Sequence, residues 1–434
     1  MRVAFIRPNM TAARSTDAME PLAFAILAGL TPPEWETVLY DERLEDVPYD
    51  IPVDAVAITV ETYTARRAYQ IADRFREMGK PVIMGGYHPT FMPEEALEHA
   101  DAVIIGDAEG VWEKVLDDVR DKTLRARYQQ RFLPDLEKLL YDRTIFAGKR
   151  YVNVKPVQYS RGCRFACDFC SIHAFYGAHL RQRPVHEVAA EIASFRDKHI
   201  FIVDDNIFVD PDKAAELFRA LIPLKIKWSC QVTIDIVKHP RLLKLMQQSG
   251  CEIVLIGFES LNEDNLRQMK KHWNVRQGGY AEGVRRLQDH GFMIYGTFVL
   301  GYDHDDTDAF DITVDFALRQ NFCLANFNPL TPLPGTSLYD RLRTENRLLQ
   351  ERWWTDPGFH YGEATYHPKK MTPVELTEGC YRARTLFNRY RSIFKRLVDT
   401  PVNHRDLNRL GFYLTSNLIS RREIHKKQGM SLGA

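Results

Sequence analysis

Ser160-Arg161-Gly162-Cys163-Arg164-Phe165-Ala166-Cys167-Asp168-Phe169-Cys170 follows directly on an apolar run, residues 157–159, that reads as a β-strand. Its three cysteines stand at C-x3-C-x2-C spacing in the loop that leaves this strand. Downstream, strand-like runs recur at 200–203, 226–231, 253–258, 293–300 and 325–329. Helical periodicity at 185–195, 212–221 and 278–289 separates them. Strands alternating with helices predict a parallel sheet with helices outside. Six βα units are too few for a closed eight-fold barrel, so the spacing predicts an open, partial (β/α)6 barrel of the TIM type.

Upstream of the cysteines the same alternation occurs on a smaller scale. Strand runs at 3–6, 38–40, 55–60, 82–84 and 102–105 are interleaved with helical stretches such as 21–30 and 65–78. This predicts a doubly wound, Rossmann-like α/β domain. Its loops at Thr59-Val60-Glu61-Thr62, Gly85-Gly86-Tyr87-His88 and Gly106-Asp107-Ala108-Glu109 would share the carboxyl edge, where ligands bind. The chain is thus divided into a Rossmann-like domain (1–125), a linker (126–155), the partial barrel (156–340) and a C-terminal helical, aromatic cap (341–434).

Composition narrows the class. Of 434 residues 45% are apolar and 27% charged, the profile of a soluble globular protein. Lys plus Arg and Asp plus Glu balance at 58 each, so the whole chain carries no bias toward nucleic acid, and no nucleic-acid partner is expected. No stretch approaches the roughly 20 continuous apolar residues of a membrane span. Met1-Arg2-Val3-Ala4-Phe5-Ile6 runs straight into a strand without a leader pattern, which makes the cytoplasm the expected location. Seven cysteines, an odd number, argue against a disulfide framework. Cys230, Cys251 and Cys323 lie in apolar runs and read as small buried hydrophobes.

The cysteine triplet is different. Three thiolates at this spacing can wrap one corner-sharing iron–sulfur cube, and clusters normally take four cysteines. No fourth lies nearby, so one iron would be left open to bind a substrate or cofactor directly. Zinc would need a closed set of four ligands, which His173 could complete, but a strand–loop–βα setting is unlike a zinc ribbon or finger.

The triplet after the first strand of a βα barrel resembles the radical S-adenosylmethionine (SAM) superfamily. The resemblance implies that Cys163, Cys167 and Cys170 hold a [4Fe–4S] cluster whose free iron is chelated by the methionyl group of SAM. Phe169, just before the third cysteine, stands where the family packs an aromatic ring near the adenine. Val203-Asp204-Asp205-Asn206, Gln231, Ile256-Gly257-Phe258-Glu259-Ser260 and Val299-Leu300-Gly301-Tyr302-Asp303 end later strands where the family places cofactor contacts. Asp204, Asp205, Gln231, Glu259 and Gly301 are the candidates there, although Asp, Asn and Gly also favour strand ends as turn and cap residues.

A doubly wound domain ahead of such a barrel resembles the cobalamin-binding subgroup, and the likeness extends over residues 1 to about 340. It is strongest at 81–110, 156–170 and 253–260. It implies that Thr59, Glu61, Thr62, Gly85, Gly86, His88, Gly106 and Glu109 surround cobalamin, with the glycines admitting the nucleotide tail. The D-x-H-x-x-G loop that supplies a cobalt ligand in mutases is absent; Asp41-Glu42-Arg43-Leu44-Glu45-Asp46 stands there without a histidine. His88, in a G-G-x-H-P turn, reads better as a hydrogen-bonding residue near the tail than as a metal ligand.

The resemblance implies a methyltransferase acting on an unactivated carbon of a small-molecule or lipid-like substrate through a 5′-deoxyadenosyl radical, with electrons from a flavodoxin- or ferredoxin-type reductase. A non-methylating radical reaction on the same architecture (cyclisation, carbon–carbon bond formation, dehydration or oxidation) stays open. So do two readings of Trp353-Trp354-Thr355, His360-Tyr361 and Tyr366-His367: a cap across the barrel mouth, or the walls of a substrate pocket. Arg382, Arg384, Arg389, Arg391, Lys395 and Arg396 give the C-terminal third local positive charge. It reads first as a solvated face, with an acidic substrate, a reductase or lipid headgroups as alternative partners.

Overall fold

In the computed structural model, which describes residues 1–130, 132–271 and 279–433, the chain builds two parallel sheets. In the first, β1 (Arg2–Arg7) is central; Val3, Ala4, Phe5 and Ile6 are wholly buried, as befits a strand covered on both faces. Around it stand β2 (Glu36–Asp41), β3 (Ala55–Thr59), β4 (Val82–Gly85), β5 (Ala102–Ile105) and β6 (Arg127–Gln129), in the order β2-β1-β3-β4-β5-β6. The order reverses between β1 and β3, which opens a crevice at the carboxyl ends of those strands. Strand β6 lies in the stretch expected to be a linker. It pairs Val103 with Arg127 and Ile105 with Gln129, but only Tyr128 of its three residues is buried. An edge strand this short has no apolar run by which to announce itself.

The second sheet holds β7 (Lys155–Val157), β8 (His199–Ile202), β9 (Lys227–Gln231), β10 (Cys251–Glu259), β11 (Met293–Leu300) and β12 (Leu324–Pro329). They pair strictly in sequence, β7 beside β8 and so on to β12, which makes the open six-stranded barrel. The helix expected at 278–289 is Gly279–Asp289; Gly278 lies outside the described residues. Alternation along β10 and β11 turns Val254, Ile256, Phe258, Ile294 and Phe298 outward against the helices. The intervening Leu255, Gly257, Tyr295 and Thr297 stay partly open. Behind the sheet Phe258, Phe298 and Phe322 stack at centroid distances of 5.1 to 6.3 Å.

The C-terminal third meets both ends of the barrel: Tyr366 bonds to Gly301 and Lys369 pairs with Asp303 just after β11, while its last helices lie at the other end. Pro373–Phe387, opened by a capping box in which Thr372 and Glu375 satisfy each other's backbone N–H groups, packs beside β12. Tyr390–Val398 and Leu407–Lys427 sit beneath the strands, at their amino ends. There Arg396 donates to the carbonyls of Phe322 and Cys323, Asn417 to Cys323, and Arg409 to Gly291. Arg384 and Arg396, expected on a solvated basic face, are therefore buried.

Trp353 and Trp354 are also fully buried, in the core of the N-terminal domain rather than in a substrate pocket. The Trp354 indole N–H donates to Glu95 at 2.8 Å. Asp303, after β11, accepts from Gln268 (2.6 Å), Arg341 (2.8 Å) and Arg347 (2.8 Å) and pairs with Lys369. Burial alone would raise its pKa; these donors outweigh it and hold the carboxyl well below the usual range.

Trp354→Ala is expected to cost about 3–5 kcal/mol in denaturant unfolding, from the lost ring and the hydrogen bond removed from the buried Glu95. Asp303 is depressed when folded, so its contribution is present above its unfolded pKa of about 3.9 and fades as pH falls through the folded value. Asp303→Asn should lower the denaturant midpoint at pH 7, with the gap to the parent narrowing below about pH 4.

Candidate functional site

The loop after β7 is braced before it reaches the first cysteine. Asp204 accepts from the Tyr159 N–H at 2.7 Å and the Ser160 hydroxyl at 2.5 Å, and Asp205 accepts from the Gly162 N–H at 3.0 Å. Gly162 has φ +96°, and a Cβ there would stand 2.1 Å from the His179 carbonyl oxygen, so only glycine fits. Burial pushes the Asp204 carboxyl up to about 7 against its two donors. This aspartate holds the loop from behind and does not line a cavity.

Beyond the brace, Cys163, Cys167 and Cys170 face one cavity of about 380 Å³, together with Phe169, Asp205, Gln231 and Glu259. Thr233, Thr297 and Lys271 complete its polar lining. Burial pushes the Cys163 thiol up to about 11, Cys167 to about 12 and Cys170 upward as well. Metal loading must therefore release thiol protons. Three thiols, with no fourth cysteine in the lining among the described residues, fit a cluster with one iron left open.

Glu259 ends β10 with φ +63°, a left-handed conformation that costs a non-glycine residue about 1–3 kcal/mol. The turn brings its carboxylate to 2.6 Å from the Lys271 ammonium, which also donates to the Gly257 carbonyl. Burial opposes the charge on Lys271, but Glu259 and the neighbouring cysteines outweigh it and raise its pKa. Gly301, expected beside the adenosine, instead forms a turn outside this lining: its N–H donates to Asp305 and its carbonyl accepts from Tyr366.

A second cleft, of about 330 Å³, opens at the carboxyl edge of the N-terminal sheet, a size within the usual range of small-molecule sites. Thr59, Glu61, Gly85, Gly86, Gly106 and Glu109 line it at the rim. Leu22, Ile26, Ala57, Ile83, Ile104 and Trp112 make it apolar toward the sheet. Gly106 has φ +85° and faces open space where a Cβ would stand. Among the described residues the lining contains no histidine.

Thr62 and His88 turn away from this cleft. His88 is wholly buried, with Nε2 3.0 Å from the Tyr69 hydroxyl and 3.1 Å from Glu95, and Nδ1 3.4 Å from Thr62. It forms a hydrogen-bonding group of the domain core, not of the tail site expected for it.

The two cavities share a wall. Arg161, two residues before Cys163, reaches into the second cleft and pairs with Glu109 at 2.6 Å and Asp107 at 3.1 Å. Asp107 also pairs with Arg181 at 2.7 Å. The helix Ser171–Tyr176, directly after Cys170, places Phe175 and Tyr176 on the second cleft, and Phe175 meets the Tyr87 ring at 4.8 Å. Arg161, Lys271 and Phe175 were not singled out from sequence; only Arg161, beside the motif, carried a local signal.

Residues 157–317 match the radical SAM superfamily model and residues 13–116 the B12-binding domain model. The chain is 31% identical over 396 residues to bacteriochlorophyllide d C-12(1)-methyltransferase of Chlorobaculum tepidum, covering 88% of this chain and 86% of the relative. The chain belongs to the radical SAM superfamily. Bacteriochlorophyllide d C-8(2)-methyltransferase of the same organism is 31% identical over 353 residues, covering 76% of this chain and 78% of that one. In fold, this radical SAM protein is similar to the cobalamin-dependent S-adenosylmethionine radical enzyme OxsB, solved with aqua-cobalamin and S-adenosylmethionine bound. The TM-score is 0.68 at 14% identity, covering 97% of this chain and 72% of OxsB. The radical SAM protein is thus an enzyme, and its cofactors are a [4Fe–4S] cluster, S-adenosylmethionine and cobalamin.

Arg161→Met would leave Glu109 buried without its partner and strip Asp107 of one of its two arginines, Arg181 remaining. A loss of about 3–5 kcal/mol in denaturant unfolding is expected, with Arg161→Lys recovering part of it.

Proposed function

We propose that this enzyme transfers a methyl group to an unactivated carbon of a small organic molecule. The observation that carries the reading is the shared wall: the Ser171–Tyr176 helix turns Ile172 to the cysteine cavity and Phe175 and Tyr176 to the N-terminal cleft. When bound, the cluster with S-adenosylmethionine supplies a 5′-deoxyadenosyl radical, and cobalamin supplies a transferable methyl group.

In this reading Cys163, Cys167 and Cys170 hold the cluster. Phe169, Asp205, Gln231 and Glu259, facing the same cavity, bind S-adenosylmethionine. Thr59, Glu61, Gly85, Gly86 and Gly106 carry cobalamin, while Glu109 acts through Arg161 instead. Residues 1–130 would form the cobalamin domain and 155–329 the barrel, with the remainder packed beside and beneath them.

The two bacteriochlorophyllide d methyltransferases make tetrapyrroles the substrate class to test first. A flavodoxin- or ferredoxin-type reductase is the proposed electron donor. The reducing setting this requires agrees with seven free cysteines, and we place the reaction in the cytoplasm. Among the described residues, no helix is long and apolar enough to cross a membrane.

The test is anaerobic reconstitution with iron, sulfide and hydroxocobalamin, gel filtration, and mass spectrometry of products formed from bacteriochlorophyllide substrates with S-adenosylmethionine and a chemical reductant. Retained corrin and a product heavier by one CH2 are expected. A retained cluster with a product that is only rearranged, dehydrated or oxidised would overturn methyl transfer. The triple variant Cys163→Ala, Cys167→Ala, Cys170→Ala should lose iron and S-adenosylmethionine cleavage while keeping the corrin.

A further inference from the structure

The helices Tyr390–Val398 and Leu407–Lys427 bury one flank against the barrel and leave another without a partner. On the first helix, Tyr390, Phe394 and Val398, one turn apart, are 64%, 68% and 61% exposed. On the second, Leu407 is 85% exposed, and Leu414 and Leu418 follow on the same stripe at i+7 and i+11. The two stripes meet. Arg421, one turn beyond Leu418, lies over the Tyr390 ring at 4.4 Å, and the Tyr413 hydroxyl donates to the Ile393 carbonyl.

The border of this apolar face is basic. Arg389, Arg391, Lys395 and Arg405 are exposed and Arg421 half-exposed, against Asp399 and Asp406. Among the described residues the ion pairs in this region use Arg382, Arg409, Arg422 and Lys427 instead, and Asp406 is taken by Arg409. A second copy docked by a two-fold axis would bring these cations toward their own equivalents. An anionic lipid surface complements them, and an apolar stripe edged by Lys and Arg is the pattern of a helix lying in a bilayer interface.

We propose that this helix pair docks the enzyme peripherally on an anionic phospholipid membrane. The face lies at the amino ends of β11 and β12, whereas the cysteine loop leaves the carboxyl end of β7. Docking therefore leaves the cysteine cavity turned away from the lipid, and it does not depend on which reaction the enzyme performs.

The full chain with its cofactors would be sedimented with vesicles of phosphatidylglycerol and phosphatidylcholine in equal parts, and with phosphatidylcholine alone. Binding to the first, weakened by salt and at least about tenfold weaker to the second, is expected. Phe394→Glu with Leu414→Glu should abolish it, and Arg391→Glu with Lys395→Glu should weaken it by about tenfold or more, at an unchanged melting temperature. Failure to bind the anionic vesicles, or equal binding to both kinds, would overturn the proposal. A dimer in analytical ultracentrifugation that dissociates in the Phe394→Glu, Leu414→Glu variant would overturn it too, by assigning the face to a second copy.

Discussion

Arg161 carries the junction on which the arrangement of this protein depends. Its guanidinium is nearly inaccessible and meets two carboxylates of the N-terminal domain, Glu109 and Asp107, while Gln158 accepts from its Nε. Burying such a group costs several kcal/mol of hydration, and only good geometry on both sides offsets it. Burial opposes the guanidinium charge, but the two carboxylates outweigh it and raise its pKa. Arg161 stands two residues before Cys163, and Asp107 and Glu109 directly follow the β5 strand end. The ion cluster therefore places the cysteine loop against the rim of the cleft, and the spacing of the two cavities follows from it.

A second junction reinforces the first from the far end of the chain. Glu95 accepts from Tyr69, His88 and the Trp354 indole, so one buried carboxylate joins the N-terminal core to the segment after the barrel. The chain returns once more: Arg66 donates to the Leu432 carbonyl, and the Gly433 N–H to that of Met10. With the barrel thus tied to the N-terminal domain by both its flanking segments, the C-terminal helices are free to pack at the closed end. Their apolar and basic outer face is consistent with a surface role there rather than a part in the reaction.

The Rossmann-like sheet, the six-stranded open barrel and the cysteine loop were legible because each is written in local pattern: apolar runs, turn residues and close spacing. Strand β6 escaped because an edge strand with one buried residue leaves almost no pattern. Phe169 was placed by its position before the third cysteine, and Asp205, Gln231 and Glu259 by strand ends read through the family resemblance; all four face the cysteine cavity. Asp204, Gly301, Thr62 and His88 were placed by the same logic and face elsewhere, because a strand end shows where the chain turns but not what each side chain packs against.

The sequence by itself determined the fold class, the family and the three thiols, all of which depend on residues near one another in the chain. Tertiary structure decided the rest. The pairing of Glu259 with Lys271 follows from a left-handed backbone turn that no residue type announces. The union of Arg161 with Asp107 and Glu109 joins groups more than fifty residues apart and across two domains. Such contacts lower the free energy only once both cores have formed, because only then are the charges removed from water and obliged to find each other.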